Sequence, residues 1–146
     1  MELCFSIKGQ TAIVTGASSG LGVTFAETLA ERGVNLVIAA RRYERLVKVA
    51  EDLAGKYGVK VVPVQTDVSQ EDQVMNMVKT AIEKFGSLEI LVNNAGVASL
   101  SPSVDMSLEE WKKVIDVNLT GVFLCARTAA REMIKKEYGK IVNIAS

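Results

Sequence analysis

A glycine-rich stretch near the amino terminus has the residue types and spacing of a site for nucleotide phosphates. Residues 15–22 read Thr-Gly-Ala-Ser-Ser-Gly-Leu-Gly; they follow the apolar run 11–15 and lead into the amphipathic segment 23–32. Glycine lets the backbone turn tightly and approach a ligand, while the first amides of the helix present N–H groups and the positive end of the dipole to an anion. This stretch, the glycine turn, predicts phosphate contacts from Gly16, Ser18, Ser19, Gly20, Leu21 and Gly22.

Glycine spacing alone also fits an ordinary turn between a strand and a helix, so the neighbouring residues must decide. Gly20 is followed by Leu21, Gly22 and Val23 rather than by Lys and then Ser or Thr. This excludes the phosphate loop of mononucleotide kinases.

Two arginines, Arg41 and Arg42, follow the apolar run 35–40. A cofactor with a free ribose 2′-hydroxyl needs an Asp or Glu about 20 residues beyond the glycine turn, and that place is taken by Ala40. A guanidinium offers charged donors that suit a 2′-phosphate, so NADP is favoured over NAD, and the missing acid also counts against an S-adenosylmethionine methyltransferase. The alternative is a pair of solvated charges at a helix start, where cations oppose the helix dipole.

These residues need a sheet to position them, and the hydrophobic pattern predicts one. Strand-like runs lie at 11–15, 35–40, 59–66, 88–93 and 140–145, and helical patterns lie at 21–32, 43–56, 70–85 and 107–137. Strict alternation is typical of an α/β fold, a Rossmann-type doubly wound parallel sheet. Ser107 with Glu110 predicts a capping box, and Ser69 with Asp72 predicts an approximate one.

The loop 96–106 follows the fourth predicted strand, at the carboxyl edge where open parallel sheets bind ligands. It either shapes a substrate site or is a plain connection, and the sequence leaves both alternatives open.

Composition limits the classes of function. The chain has 146 residues, 17 basic and 17 acidic side chains and no histidine, which indicates one globular domain and gives no electrostatic case for nucleic acid or an anionic membrane as partner. No stretch approaches the roughly 20 apolar residues of a membrane span and no leader is visible, so we expect a cytoplasmic protein. Cys4 and Cys125 form neither a metal-ligand pair nor a redox pair, so we expect no metal site and two core-filling cysteines.

Five motifs together resemble the classical short-chain dehydrogenases/reductases. They are Thr-Gly-x-x-x-Gly-x-Gly at 15–22, Asp67-Val68, Asn93-Asn94-Ala95-Gly96, Asn118, and Ile-Val-Asn-Ile-Ala-Ser at 141–146. The match runs the whole length of the chain. It implies an oxidoreductase that transfers a hydride between NADP(H) and the carbonyl/hydroxyl pair of a small molecule.

The resemblance also implies roles for individual residues. Asp67 and the Val68 amide would hold the adenine, and Asn94, Ala95 and Gly96 would brace the sheet and pass beside the cofactor ribose. From the residues alone, both stretches are also good turns.

Asn118 and Ser146 would be the catalytic residues that this chain supplies. Asn118 would hold a water in a proton relay, and Ser146 would position the substrate carbonyl or hydroxyl. The helical pattern places Asn118 among apolar neighbours, so we expect a buried amide that needs a partner, since leaving it unsatisfied costs about 1–3 kcal/mol. Gly121 close by predicts a bend or a tight contact.

The acid/base tyrosine of the family, with its lysine four residues on, has no counterpart. Tyr43, Tyr57 and Tyr138 each have a valine at that spacing. We therefore expect residues 1–146 to be an incomplete dinucleotide-binding domain, the inactive amino-terminal portion of a longer enzyme that is a homo-oligomer when complete. The fifth strand would then be a bare edge and the last helix would have an uncovered apolar face. The alternatives are a catalytically silent NADP-binding module and a fragment that binds nothing; the substrate is not specified.

Overall fold

A computed structural model describes residues 5–145, which form a parallel sheet covered by helices on both faces. The strands are β1 (Thr11–Thr15), β2 (Asn35–Ala40), β3 (Val61–Gln65), β4 (Ile90–Asn93) and β5 (Lys140–Asn143), in the order β3-β2-β1-β4-β5. Every neighbouring pair is parallel. The doubly wound α/β fold predicted from the sequence is confirmed.

Within residues 5–145, five α-helices connect or follow the strands. They are α1 (Leu21–Glu31), α2 (Tyr43–Tyr57), α3 (Glu71–Phe85), α4 (Leu108–Ile115) and α5 (Val122–Lys135), and a π-helical turn, Asp116–Gly121, joins α4 to α5. Strand order reverses between β1 and β4, and the loops after the strands of this region meet at one edge of the sheet. This is the edge at which open parallel sheets bind ligands.

The core consists of two layers, one on each face of the sheet. Side chains of β1 alternate between them: Ala12 and Val14 pack with α1 and α2, whereas Ile13 packs with α3 and α5. This alternation follows from the period of two along a strand. Both faces of β1 are fully buried, which holds the glycine turn on a rigid base.

The helix predicted over 107–137 is present as a continuous helical run over 108–135, but a π-helical turn at Asp116–Gly121 interrupts its α-helical geometry. A Cβ at Gly121 would lie 2.7 Å from Cγ2 of Val68, so the glycine lets the helix pass against the loop after β3. The tight contact expected at Gly121 is confirmed. Wide π-turns inside helices are often found at functional sites.

One predicted cap is confirmed and the other is wrong. Ser107 and Glu110 form the reciprocal capping box at the start of α4. Ser69 does not cap α3, which has Gln70 at its N-cap; the Ser69 N–H and hydroxyl instead donate to Oδ1 of Asp67, at 3.0 and 2.7 Å. The Ser69 oxygen accepts from Nε2 of Gln70 at 3.3 Å, and within the described residues no backbone N–H of α3 donates to it.

The exposed surfaces predicted for the end of the chain are confirmed. β5 pairs with β4, no further strand is paired to it within residues 5–145, and all its residues are exposed. Trp111, Leu119 and Phe123 leave more than half of their surface exposed along α4, the π-turn and α5.

The cysteine prediction is confirmed for Cys125, a free thiol in the core whose pKa burial raises to about 12. Cys4 lies outside the described residues. Over the part of the chain that is described, none of the helices combines the length and the apolar character needed to cross a membrane.

Candidate functional site at the carboxyl edge of the sheet

The loops after β1, β2, β3 and β4 enclose one cleft at the carboxyl edge. It is lined by Gly16, Ser18, Ser19, Ala40, Arg41, Arg42, Thr66, Asp67, Val68, Asn94, Ala95, Gly96, Val97 and Val117. Most of the residues predicted to bind the cofactor therefore lie together. Gly20, Leu21 and Gly22 do not line the cleft; they lie beside it, at the N-cap and first turn of α1.

The glycine turn is shaped by backbone contacts that only glycine permits. Gly16 and Gly20 have φ angles of +67° and +60°, in the left-handed region. A Cβ at Gly16 would lie 2.9 Å from the Ala95 Cα, and a Cβ at Gly22 would lie 2.2 Å from the Gly16 carbonyl oxygen. The turn, α1 and the end of β4 thus pack together with no room for side chains.

Thr15 and Asn94 fix the turn to the neighbouring strand. The Thr15 Oγ1 accepts hydrogen bonds from the N–H groups of Asn94, at 3.1 Å, and Ala95, at 3.0 Å. The Asn94 Nδ2 in turn donates to the Thr15 and Gly16 carbonyl oxygens, at 3.1 and 3.3 Å. Sequence reasoning missed Thr15, although a polar residue that ends a buried strand just before a glycine turn is a usable signal.

The two arginines lie on the opposite side of the cleft from the loop after β4. The Arg42 Nη2 donates to the Ser19 hydroxyl at 3.2 Å and lies 3.5 Å from that of Ser18. Arg41 lines the same cleft, and its carbonyl accepts from the Gln65 side chain at 3.0 Å. Within residues 5–145, neither guanidinium is paired with a carboxylate. Two guanidiniums thus face the cleft against one carboxylate, that of Asp67, which leaves an excess of positive charge.

Asp67 ties down the turn after β3. Its N–H donates to Gln73 Oε1 at 2.8 Å, while its Oδ1 accepts both bonds from Ser69. Val68 is 7% exposed and packs against Gly121. The turn predicted at Asp67 from the residues alone is thus present, and it lies in the wall of the cleft.

Asn118 is exposed, so its predicted burial is wrong, although the predicted need for a partner is met. Its Oδ1 accepts from the Val97 N–H and its Nδ2 donates to the Val97 carbonyl oxygen, both at 2.8 Å. The predicted apolar stripe is itself exposed at Trp111 and Leu119, and Asn118 lies on the π-turn, where its side chain reaches the loop after β4. Ser146, the predicted catalytic serine, lies outside the described residues.

The loop 96–106 is attached to α4 by serine hydroxyls. Those of Ser99 and Ser101 donate to Oε1 of Glu110, at 3.4 and 2.8 Å. Beside it lies a groove, the loop groove, lined by Val97, Ala98, Ser99, Leu100, Ser101, Glu110, Lys113 and Val114. Val97 also lines the first cleft, so the two depressions adjoin.

Metal chemistry has no donor set in this part of the protein. Residues 5–145 contain no group of three or more His, Cys, Asp or Glu side chains placed to hold an ion. The cleft instead combines backbone turns, hydroxyls and unpaired cations, which suit a phosphorylated organic ligand.

Residues 10–146 match the protein-family model of short chain dehydrogenases. The chain is 44% identical over 140 residues to an uncharacterized oxidoreductase of Thermotoga maritima, covering 96% of this chain and 54% of the relative. It is 39% identical over 143 residues to a 3-oxoacyl-[acyl-carrier-protein] reductase of Synechocystis sp., covering 97% and 57%. The chain thus spans about half the length of the curated relatives it matches.

The chain is also similar in fold to solved structures of dehydrogenases. The fold superposes on a short-chain type dehydrogenase/reductase from Mycobacterium marinum with a TM-score of 0.92 and 41% identity, over 97% of this chain and 57% of the other. It also superposes on an alcohol dehydrogenase from the archaeon Thermococcus sibiricus, complexed with 5-hydroxy-NADP, with a TM-score of 0.87 and 33% identity, over 92% and 57%.

Proposed function

The chain belongs to the short-chain dehydrogenase family, and from this premise we propose that it forms the NADP(H) site of an oxidoreductase acting on a carbonyl/hydroxyl pair. When bound, the nicotinamide supplies or accepts the hydride. The residues of this chain bind the cofactor and orient it. The small-molecule substrate and the activity are proposed for the whole protein. This chain spans only about half the length of its relatives.

The observation that carries the proposal is the cleft in which the glycine turn and the two unpaired arginines meet. Gly16 and Gly22 pack the turn against the end of β4, whereas a Cβ at Gly20 would meet nothing within 4 Å, so the backbone there is open to the close approach of a diphosphate. We assign the diphosphate to the glycine turn and the start of α1, residues 16–22. Asp67 and Val68 then lie on the adenine side, and residues 94–96 lie beside the ribose.

NADP is preferred to NAD because of charge. Ala40 offers no carboxylate to the ribose 2′-hydroxyl, and Arg41 and Arg42 have no acidic partner within the described range. The hydroxyls of Ser18 and Ser19 lie within reach of Arg42, so the same groups are placed to share a 2′-phosphate. The Thermococcus sibiricus enzyme, solved with an NADP derivative, supports this choice.

For the chemical step we propose the roles implied by the family. Asn118 would hold a water of the proton relay, at a turn whose position its own side chain fixes through Val97. Ser146 would hold the substrate oxygen. The acid/base tyrosine and lysine would come from sequence beyond Ser146.

Cofactor binding is tested by calorimetry with NADPH and NADH on the wild type, Arg41→Asp and Lys48→Asp. The two variants make the same charge change, but Lys48 is an exposed residue of α2 that does not line the cleft. We expect Arg41→Asp to weaken NADPH binding about tenfold or more, relative to NADH, because a charged contact with the 2′-phosphate is lost. Lys48→Asp should leave the NADPH/NADH ratio unchanged. Equal binding of both cofactors, unaltered by Arg41→Asp, would refute the assignment.

A catalytically silent NADP-binding module is the second candidate, since these 146 residues by themselves contain the cofactor cleft and no Tyr-x-x-x-Lys motif. The coding sequence beyond Ser146 distinguishes the oxidoreductase from the silent module. A Tyr-x-x-x-Lys shortly beyond it supports the enzyme, and a stop codon supports the module. For the complete protein we expect a homo-oligomer, since Trp111, Leu119 and Phe123 form an exposed apolar surface.

A further inference from the structure

The two carboxylate oxygens of Glu110 connect the loop after β4 to the N-terminal cap of α4. Its Oε1 accepts from the hydroxyls of Ser101, at 2.8 Å, and Ser99, at 3.4 Å, both in the loop after β4. Its Oε2 accepts from the N–H and the hydroxyl of Ser107, both at 3.1 Å, at the cap of α4. A capping box needs only the second set. The first set is therefore unexplained by helix capping.

The bonds to Oε1 are the last of three attachments along the loop. Ala95 is held by Thr15 and Val97 is held by Asn118, both in the wall of the cofactor cleft. Ser101, which lies four residues after Val97, is held by Glu110. The segment between the last two attachments, 97–101, lines the loop groove. The groove opens next to the cleft, because Val97 belongs to both.

The carboxylate is a strong anchor because it is ionised. Hydrogen bonds to a charged acceptor are roughly twice as strong as those between neutral groups. The hydrogen bond from Ser101 is the main reason that the pKa of Glu110 is lowered, followed by the bonds from Ser107. Glu110 thus remains an acceptor for both structures at neutral pH.

We propose that Glu110 is a positioning residue, whose Oε1 holds residues 97–101 as the wall of a substrate groove beside the cofactor. This rests on the oxidoreductase function proposed above. Glu110 itself need not touch the substrate. The loop 96–106, for which the sequence left two alternatives, then shapes the substrate site rather than merely connecting β4 to α4.

The test compares Ser101→Ala with Ser107→Ala in the full-length protein, both without cofactor and with NADPH added. The first variant removes the strongest loop bond and leaves the cap, whereas the second weakens the cap and leaves the loop bonds. We expect amide hydrogen exchange over 97–101 to rise about tenfold in Ser101→Ala and to stay within about twofold of wild type in Ser107→Ala. Equal exchange over 97–101 in the two variants would overturn the proposal.

Kinetics with ethyl acetoacetate, a 3-oxo ester, tests whether the wall acts on substrate. The KM should rise about fivefold in Ser101→Ala while kcat and the Kd for NADPH change less than about twofold. Faster exchange with an unchanged KM would overturn the substrate role of the loop.

The carboxylate is tested by Glu110→Gln and Glu110→Ala. Gln can still accept from the serine hydroxyls, so it should restore most of the slow exchange over 97–101 that Ala loses. Equal exchange in both variants would contradict a role for the acceptor oxygen.

Failure of the proposed function shows separately. A wild type that does not bind NADPH refutes the cofactor site, and one that binds NADPH without reducing the 3-oxo ester refutes that activity. In both cases the exchange comparison still supports or overturns the anchoring of the loop.

Discussion

Replacing Gly22 by alanine tests how the glycine turn is built. A Cβ there would lie 2.2 Å from the Gly16 carbonyl oxygen and 2.7 Å from Nδ2 of Asn94. The carbonyl is part of the backbone and cannot rotate away, so the turn or α1 must shift. Gly55, inside α2, is the matched control, because a Cβ there meets nothing within 4 Å.

The expected magnitude is the difference of two effects. Ala stabilises a helix interior over Gly by about 1 kcal/mol, whereas overpacking costs about 1–3 kcal/mol and is greatest where backbone is the obstacle. Gly55→Ala should therefore raise the free energy of unfolding by up to about 1 kcal/mol. Gly22→Ala should lower it by about 2 kcal/mol, which corresponds to a fall in Tm of about 7 °C for a chain of this size.

Urea unfolding followed by circular dichroism measures both variants, and NADPH calorimetry follows. We expect Gly22→Ala to weaken NADPH binding about tenfold or more, because the displaced turn no longer presents its amides to the diphosphate. Gly55→Ala should bind as the wild type does. If Gly22→Ala is as stable as Gly55→Ala and binds NADPH normally, backbone packing does not set the turn and the reasoning fails.

Three further outcomes are expected. Thr15→Val leaves the N–H groups of Asn94 and Ala95 without their acceptor and should lower the free energy of unfolding, measured by urea unfolding, by about 2–3 kcal/mol. An unchanged urea midpoint would contradict this. In a Cys4→Ser background, burial of the Cys125 thiol and its raised pKa of about 12 should delay labelling by Ellman's reagent at pH 8 until urea unfolds the protein, whereas rapid labelling of native protein would refute its burial. Because the folded-state pKa of Glu110 is lowered, the stability advantage of the wild type over Glu110→Gln should be full above the unfolded-state pKa and vanish as the pH falls through the lowered value; a difference in urea midpoint that does not vary with pH would show that ionisation plays no part.

The sheet was predictable because each strand is a short apolar run bounded by turn residues, and the glycine turn because its three glycines follow such a run. The π-turn at 116–121 was not predictable, since the apolar stripe continues through it. The partner of the Asn118 side chain is the backbone of Val97, which lies 21 residues earlier in the sequence. Local pattern gives no information about such a contact.

Residues that join the cleft by tertiary placement were also missed. Thr66 and Val117 are immediate neighbours of residues in the family motifs, and their own types indicate no binding role. Ser69 was assigned to the cap of α3, whereas its hydroxyl binds Asp67, two residues before it. The sequence shows which residues can form side-chain hydrogen bonds, whereas the folded chain decides between two local partners.

The attachment of Asn118 to Val97 uses only main-chain atoms of residue 97. Any amino acid with an N–H group can therefore stand at this position without loss of the two hydrogen bonds. Its side chain is partly buried against the core layer that contains Ile13, and it also forms part of the boundary between the cleft and the loop groove. The architecture thus separates a main-chain anchor from a side-chain wall, so an apolar substitution at residue 97 reshapes the boundary between the cleft and the loop groove while the two hydrogen bonds of Asn118 are kept.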